Sequence, residues 1–134
     1  MKEIAYKTWE FFRENINEKN NYLITDNYQE DRKEKTVNRT SSTNIGLELL
    51  SIISAYDLEF INFEHLKKVL NTVKVLSKWN GHLYNWYTLD TLEPLKPRYI
   101  STVDSGNFIG YLFVIKTFLN NLVMYPNKEN IEIN

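Results

Sequence analysis

One segment of this chain, from about residue 41 to 57, constrains the fold more than any other because it has the pattern of a helix that is apolar on almost every side. The residues that spread around its circumference are Ile45, Leu47, Leu49, Leu50, Ile52 and Ile53. A helix that is apolar all round is normally buried all round. We therefore expect other elements to surround it, and we expect Ser41, Ser42 or Thr43 to cap its N-terminus.

Two further segments have the apolar repeat of an amphipathic helix. In the first, residues 4–16, the apolar positions are Ile4, Ala5, Trp9, Phe12 and Ile16. In the other, which starts at Asn62, they are Leu66, Val69, Leu70, Val73, Leu76 and Trp79. This spacing predicts that the second of these helices ends at Gly81 and that Trp9 and Trp79 lie in the core.

The last helix is predicted to begin at Asp104 or Ser105, and its apolar positions are Phe108, Tyr111, Leu112, Ile115, Phe118, Leu119 and Leu122. Gly106 and Gly110 lie one helical turn apart in it, and we expect them to let another helix or a ligand approach the backbone closely. Upstream, Pro94 and Pro97 exclude the interior of a helix. The aromatic stretch before these prolines therefore predicts a short strand or hairpin.

These segments predict an all-α fold class with about four main helices and a short strand or hairpin near residues 82–100. The chain of 134 residues is the size of one domain. We therefore expect residues 1–134 to form a single domain. The polar stretch of residues 18–39 has no periodicity, and it predicts a long loop of the kind that is usually functional or disordered.

Composition excludes several functions. With 16 Lys and Arg against 17 Asp and Glu, the net charge is −1, whereas a nucleic-acid-binding domain carries a basic excess. The absence of cysteine excludes disulfides, zinc–thiolate sites and thiol nucleophiles, and two histidines are too few for a His-rich metal site. We expect no metal and no cofactor. No apolar run approaches the ~18 residues that span a bilayer.

Polar and aromatic side chains concentrate at residues 26–31, 39–44, 82–87 and 101–107, all in loops or at helix starts. Carboxylates, amides and an arginine, interleaved with Trp and Tyr, can bind the hydroxyl groups of a sugar and stack on its apolar face. The alternative is ordinary core aromatics with helix-capping polar residues. We expect the segments to meet on one face, and the candidate substrate-binding residues are then Asp26, Asn27, Gln29, Glu30, Arg39, Asn44, His82, Tyr84, Asn85, Trp86 and Asp104.

Five motifs in a fixed order carry a resemblance to a known family. They lie at residues 26–31, 39–47, 81–87, 92–95 and 101–107 and read DNYQED, RTSSTNIGL, GHLYNWY, LEPL and STVDSGN. Over residues 5–119 the chain closely resembles the glucoamylase-like middle region of the cyclic β-1,2-glucan synthases. It departs from them at Ser42, where they commonly have Pro, and at residues 88–90, where they have Asp-Thr-Arg. A role for an acidic residue after Tyr87 is therefore not carried over.

The resemblance implies an (α/α) barrel that acts on β-1,2-glucan chains by a retaining mechanism, within a longer multidomain membrane protein. Retaining chemistry needs a carboxylate nucleophile and a carboxylic acid about 5 Å apart. We expect the two catalytic glutamates of the family downstream of Asn134, which would make this chain the opening part of the barrel and inactive alone. The implied function is that of a substrate-binding scaffold in a glycosidase or transglycosylase of this type.

Two alternatives stay open. The chain could be a small complete glycosidase with Glu30 and Asp104 as acid and base, although exposure in a partial barrel would remove the raised pKa that a general acid needs. It could also be a non-catalytic carbohydrate-binding domain or a purely structural helical domain. Two carboxylates facing each other across one concave pocket would favour the glycosidase.

The implied partners are a β-glucan or another oligosaccharide and the remainder of the parent protein, with no nucleic acid. The parent would be membrane-bound, and we expect this part of it to be cytoplasmic. A partial barrel would leave the helix at residues 41–57 partly wet, at a cost of roughly 1.5–3 kcal/mol for each large aliphatic side chain. We therefore expect either a homodimer or a cover formed by the last helix or by the tail from Val123.

Overall fold

The computed structural model describes residues 1–125, and these residues form a mostly helical fold. The helices are α1 (Lys2–Asn15), α2 (Ser42–Asp57), α3 (Glu64–Val75) and α4 (Thr102–Met124), with one 3₁₀ turn at Glu18–Asn20. The two-residue strands are β1 (Thr40–Ser41), β2 (Lys78–Trp79), β3 (His82–Leu83) and β4 (Trp86–Tyr87). The all-α class is thereby confirmed, and the (α/α) barrel stays a prediction.

Two antiparallel strand pairs organise the loops. β2 and β3 form a hairpin, and β1 pairs with β4, so that Ser41 lies opposite Trp86. The hairpin predicted near residues 82–100 thus begins earlier, at Lys78. β4 pairs with a strand from before α2 instead of with its neighbour in sequence, which brings two of the polar segments together.

Helix α2 forms the centre of the core, as its apolar pattern predicted. Ile45, Leu49 and Ile52 are at most 1% exposed, and α1, α3 and α4 each pack against the helix. Leu47 is an exception, with 45% of its surface exposed. The expectation that α2 would stay partly wet is therefore wrong, because the described residues close a core around it within one chain. The tail beyond Tyr125, an alternative cover, lies outside the described residues.

A close contact joins α2 and α4 at Gly46. A Cβ atom at this position would lie 2.8 Å from Cε2 and 3.0 Å from Cγ of Tyr111, closer than side chains normally pack. Glycine at this position therefore lets the Tyr111 ring lie against the α2 backbone. Within the described residues no helix approaches Gly106 or Gly110 closely, since a Cβ at either would meet no atom within 4 Å, and the alternative, approach of a ligand, stays a prediction.

One side of α4 is apolar and exposed. Of its 23 residues only Ser105, Phe108 and Ile115 are buried, whereas Phe113 is 65% and Val123 82% exposed. By length and composition this helix could also cross a membrane, although polar residues such as Asp104 and Lys116 interrupt its apolar stretches, so the lack of a long apolar run does not by itself exclude a membrane span. Length and composition do not distinguish a membrane span from a helix that packs against protein.

Helix α3 ends at Val75, earlier than its apolar spacing predicted. Lys78 folds back over the end of the helix, and its Nζ donates hydrogen bonds to the carbonyl oxygens of Val73, Lys74 and Leu76 at 2.8, 3.2 and 2.8 Å. Partial burial lowers the pKa of the Lys78 ammonium. A cation at this position also complements the negative end of the helix dipole, so the three-carbonyl cap stops the helix here.

Trp79 consequently lies outside any helix. Asn80 and Gly81 have φ angles of 48° and 82° and form the turn between β2 and β3, a role for which Asn-Gly is the preferred sequence. Trp79 is 56% exposed, so the prediction that it lies in the core is wrong. The core position of Trp9, which is 4% exposed, is confirmed.

A buried carboxyl group, that of Glu48, lies among the aliphatic residues of α2. Its side chain is fully buried, and Oε2 accepts a hydrogen bond from the backbone N–H of Ile24 at 2.9 Å. Within the described residues Oε1 has no hydrogen-bond partner. Burial raises the pKa of Glu48 well above its ordinary value, and the bond from Ile24 offsets part of that effect. Glu48 thus ties the loop before β1 to the central helix.

We expect stability to fall as the pH rises through the folded-state pKa of Glu48. That pKa is raised above the unfolded value of about 4.3, so the stabilising contribution is complete only below the unfolded value. Glu48→Gln keeps an acceptor for Ile24 but does not titrate, so the variant should lack this loss. Urea denaturation from about pH 5 to about pH 9 measures it. The exposed Glu64→Gln serves as control, and identical pH profiles for wild type and Glu48→Gln would refute the assignment.

The exposed side of α4 predicts that the isolated chain self-associates, because contiguous apolar surface left in water favours an interface. We expect sedimentation velocity at micromolar concentration to detect a species larger than the monomer, and Phe113→Lys to return the chain to the monomer with unchanged circular dichroism. Val75→Lys, at an equally exposed position on α3, is the matched control. A wild-type chain that sediments as a monomer would show that α4 needs no partner of its own kind.

Candidate functional site

Asp26 organises the first group of predicted site residues. Its backbone N–H donates to the carbonyl oxygen of Arg39 at 2.9 Å, which fixes the loop against the start of β1. Oδ2 of its carboxylate accepts from Nε and Nη2 of Arg39 at 3.3 and 3.2 Å, and Oδ1 accepts from Nδ2 of Asn44 at 2.8 Å. One carboxylate therefore aligns a guanidinium group and an amide.

Trp86 completes this group. The guanidinium carbon of Arg39 lies 4.8 Å from the centre of the Trp86 ring, a cation–π contact. The contact arises because β1, next to Arg39, pairs with β4, which contains Trp86. We call Asp26, Arg39, Asn44 and Trp86 the Arg39 cluster. It combines an indole, a guanidinium group that is partly exposed, a carboxylate and an amide.

Asp104 holds a second group together from the first turn of α4. Its Oδ1 accepts a hydrogen bond from Oγ1 of Thr43 at 2.6 Å. The Asn85 amide is assigned in the orientation that pairs all its groups, and its nitrogen then donates to Oδ2 of Asp104 at 3.0 Å. Both carboxylate oxygens of Asp104 are therefore engaged within the protein. We call Thr43, Asn85, Tyr99 and Asp104 the Asp104 cluster.

Asn85 connects the two clusters. Its amide oxygen accepts from the hydroxyl of Tyr99 at 2.7 Å and from Nε1 of Trp86 at 2.6 Å. Asn85 is buried, whereas Tyr99 is 47% exposed. The hydrogen bond to Nε1 fixes the rotation of the indole, so the position of Trp86 depends on Asn85 and, through it, on Asp104.

His82 is held by the residue that follows Asp104. Its Nδ1 lies 2.7 Å from Oγ of Ser105, and either atom can be the donor, depending on the tautomer. His82 lines a cavity together with Trp79, and not the Arg39 cluster. The contact with Ser105 joins the segments 82–87 and 101–107, as expected. The substrate-binding role of His82 stays a prediction, and Trp79, which shares its cavity, was assigned to the core from the sequence.

The remaining predicted residues are not drawn into these clusters by any hydrogen bond. Gln29 and Glu30 lie in a loop closed by the bridge between Tyr28 and Thr36, and the Glu30 side chain is exposed. Asn27 is exposed too, and its carbonyl oxygen accepts from the hydroxyl of Thr25 at 3.3 Å. The binding roles of these three residues stay predictions without a contact to the clusters.

Tyr84 and its neighbour Tyr87 support the β4 segment. The hydroxyl of Tyr87 accepts from the backbone N–H of Tyr84 at 2.8 Å and donates to the carbonyl oxygen of Ser77 at 2.6 Å. Burial, the largest cause, raises the pKa of Tyr87 to about 12. Tyr84 packs edge-on against the Tyr87 ring, at 6.4 Å between centres. Tyr87 therefore stays protonated, and its hydroxyl connects Tyr84 to Ser77, the residue before β2.

Sequence reasoning missed the side-chain roles of Thr43, Tyr99 and Ser105. In the sequence, Thr43 was only one of three candidate caps of α2. The structure shows that the cap is Ser41, whose Oγ accepts a hydrogen bond from the backbone N–H of Asn44 at 3.2 Å. Tyr99 lies outside every motif and follows a proline-rich stretch, so no local signal identifies it. Within residues 1–125 no group of three acidic, histidine or cysteine residues could hold a metal ion.

The fold and the two clusters together define a helical domain. Carboxylate, amide, guanidinium and aromatic side chains lie near the N-terminal ends of its helices, on segments that the contacts of the two clusters link. Its sequence is 39% identical over 131 residues to the cyclic beta-(1,2)-glucan synthase NdvB of Rhizobium meliloti (strain 1021). The chain is therefore related to a region of that synthase, and the resemblance to the cyclic β-1,2-glucan synthases is confirmed. The alignment covers 95% of this chain and 5% of the length of that relative. No protein-family model matches the chain.

We expect Asp104→Ala to destabilise the protein by about 1–3 kcal/mol, because it leaves the Thr43 hydroxyl and the buried Asn85 amide without their acceptor. Loss of an acidic residue from the first turn of α4 adds to this cost. Chemical denaturation measures the change. The matched control is Glu64→Ala, which removes an exposed acidic residue from the first turn of α3. Equal effects of the two substitutions would mean that Asp104 acts only as a first-turn charge.

Proposed function

We propose that this chain is a substrate-binding scaffold for β-1,2-glucan, part of a longer protein that processes that glucan. The relationship to a cyclic beta-(1,2)-glucan synthase supports the choice of glucan, and the Arg39 cluster supports the choice of site. The observation that carries the proposal is the guanidinium group of Arg39, held by Asp26 on the face of Trp86.

The chemistry of the Arg39 cluster suits a neutral sugar. Hydroxyl groups need donors and acceptors in fixed directions, and the Arg39 side chain, 46% exposed, keeps guanidinium N–H groups open to a ligand beside its bond to Asp26. The indole of Trp86 adds an apolar edge against which the C–H face of a pyranose can pack. Because Asp26 and Asn85 fix these two groups before any ligand arrives, binding would cost little side-chain ordering.

Catalysis belongs elsewhere in this proposal. A general acid works in a site that excludes water, and the Glu30 side chain is exposed. Asp104 already accepts hydrogen bonds from Thr43 and Asn85 with both oxygens. A glycosidase formed by this pair alone is thus disfavoured. The catalytic carboxylates of the retaining mechanism, and the rest of the (α/α) barrel, would come from other parts of the longer protein.

The partners of the chain follow from the same proposal. The exposed apolar side of α4 would pack against further helices of the longer protein, which would remove Phe113 and its neighbours from water. The cytoplasmic location within a membrane-bound parent stays a prediction. A purely structural role is the competing function, favoured by the fact that Asp104 and Asn85 already satisfy one another.

The binding of β-1,2-linked gluco-oligosaccharides to the isolated chain tests the proposal. The protein contains three tryptophans, Trp9, Trp79 and Trp86, so a ¹H–¹⁵N spectrum has three indole signals, which single Trp→Phe variants assign. We expect the oligosaccharide to move the Trp86 signal and to leave that of the buried Trp9 unchanged.

The Arg39→Gln variant provides the quantitative test. Loss of charged hydrogen bonds worth about 1.5–3 kcal/mol should weaken binding by about tenfold or more. Arg13→Gln is the matched control, because Arg13 has a similar exposure and also pairs with a carboxylate, on α1. No movement of any indole signal at millimolar oligosaccharide, with the fold intact, would favour the purely structural role.

A further inference from the structure

A second exposed aromatic surface lies beside the clusters. Between the β2–β3 hairpin and the first two turns of α4 is a cavity of about 470 Å³, lined by Trp79, His82, Thr102, Gly106 and Ile109 among others. We call it the Trp79 groove. Its lining contains no Asp, Glu, Lys or Arg, and it combines an indole, an imidazole and two hydroxyl groups with aliphatic carbon.

Trp79 is exposed for a structural reason. The Asn80–Gly81 turn and the Lys78 cap take it out of α3 and place it on a hairpin strand, opposite His82. A tryptophan with 56% of its surface in water is costly for the isolated fold. An exposed indole on a hairpin strand is, however, a suitable platform for the apolar face of a pyranose ring.

His82 supplies the polar contact in the groove. Ser105 holds Nδ1 of the ring, and within the described residues Nε2 has no hydrogen-bond partner. The tautomer selected by Ser105 decides whether Nε2 donates or accepts, and a sugar hydroxyl can do either in return. An uncharged ligand with one apolar face and several hydroxyl groups therefore matches this lining better than an anion or a cation does.

We propose that the Trp79 groove is a second sugar-binding subsite that holds one glucose unit of the same β-1,2-glucan chain, stacked on Trp79 and hydrogen-bonded to His82. This inference rests on the proposed function, since it takes the glucan from there. It assigns a role to Trp79, which neither the motifs nor the Arg39 cluster includes.

The groove and the Arg39 cluster are close enough for one oligosaccharide. His82 and Trp86 are four residues apart, so their Cα atoms lie within about 14 Å. Consecutive residues of α4, Asp104 and Ser105, hold Asn85 and His82 respectively, so one rigid helical turn fixes both parts of the surface. A glucan chain a few units long can therefore contact both.

Gly106 offers a test that does not disturb the core. A Cβ added there meets no protein atom within 4 Å, and Gly106 lines the groove, so we expect Gly106→Leu to fill part of the groove. Gly110 is its matched control on the same helix: its Cβ position is equally open, and it does not line the groove. Leucine also has a higher helix propensity than glycine, so both variants should fold.

Titration of the wild-type chain with a β-1,2-linked gluco-oligosaccharide, followed through the indole signals, should move Trp79 as well as Trp86. We expect Gly106→Leu to weaken binding by about tenfold and to abolish the Trp79 shift, while Gly110→Leu stays within about twofold of the wild type. Trp79→Leu should weaken binding similarly, and His82→Gln less, since glutamine still offers a hydrogen bond.

The outcomes separate this inference from the proposed function. If the oligosaccharide moves Trp86 but not Trp79, and Gly106→Leu binds as well as Gly110→Leu, the second subsite is overturned and the scaffold function stands. If Trp79 moves and Trp86 does not, the subsite stands and the Arg39 cluster is not the binding surface. If neither indole moves, both proposals are overturned.

Discussion

The contact between α2 and α4 is the interaction on which the rest of the structure depends. Gly46 lets the Tyr111 ring lie on the α2 backbone, and at the helix starts the Thr43 hydroxyl donates to Asp104 at 2.6 Å. The two helices thus begin at the same end of the fold. Because the polar motifs occupy those beginnings and the loops that lead into them, packing two helices side by side is enough to bring the motifs together.

The sequence predicted the helices well and the position of Trp79 badly. Apolar spacing identified α2 as the central element because Ile45 and its neighbours leave no polar face, and burial of such a helix follows from the hydrophobic effect alone. The same spacing continues past Val75 to Trp79, where the Lys78 cap and the Asn80–Gly81 turn prevail over it. Periodicity measures which residues would share a face if a helix continued, and it does not show where the helix stops.

The residue types of the candidate site could be predicted from the sequence, but the hydrogen bonds between those residues could not. Carboxylates, amides and aromatics in four segments indicated a polar surface, and each of those segments contributes at least one residue to the contacts that link Asp26, Arg39, Asn85 and Asp104. Which groups are already satisfied cannot be read from residue types. Both carboxylate oxygens of Asp104 accept hydrogen bonds from other residues of the protein, whereas the Glu30 side chain is exposed to solvent. Only the tertiary structure distinguishes these two carboxylates. The sequence did not identify Glu48 as a buried acid for the same reason, because its hydrogen-bond donor, the backbone N–H of Ile24, is distant in sequence.

Helix α4 carries two neighbouring surfaces, one at its start and one along its exposed apolar side. Its first turn fixes Asn85 and His82 through Asp104 and Ser105, and its middle is held against α2 by Tyr111. The apolar side that includes Phe113 takes part in none of these contacts. A partner that covers this side would bury area without moving the first turn, because the helix is already fixed along its opposite side. A partner that covers only the later turns would leave the first turn open to a ligand, whereas cover that reaches Ile109, which lines the Trp79 groove and lies one turn before Phe113, would compete with a ligand there.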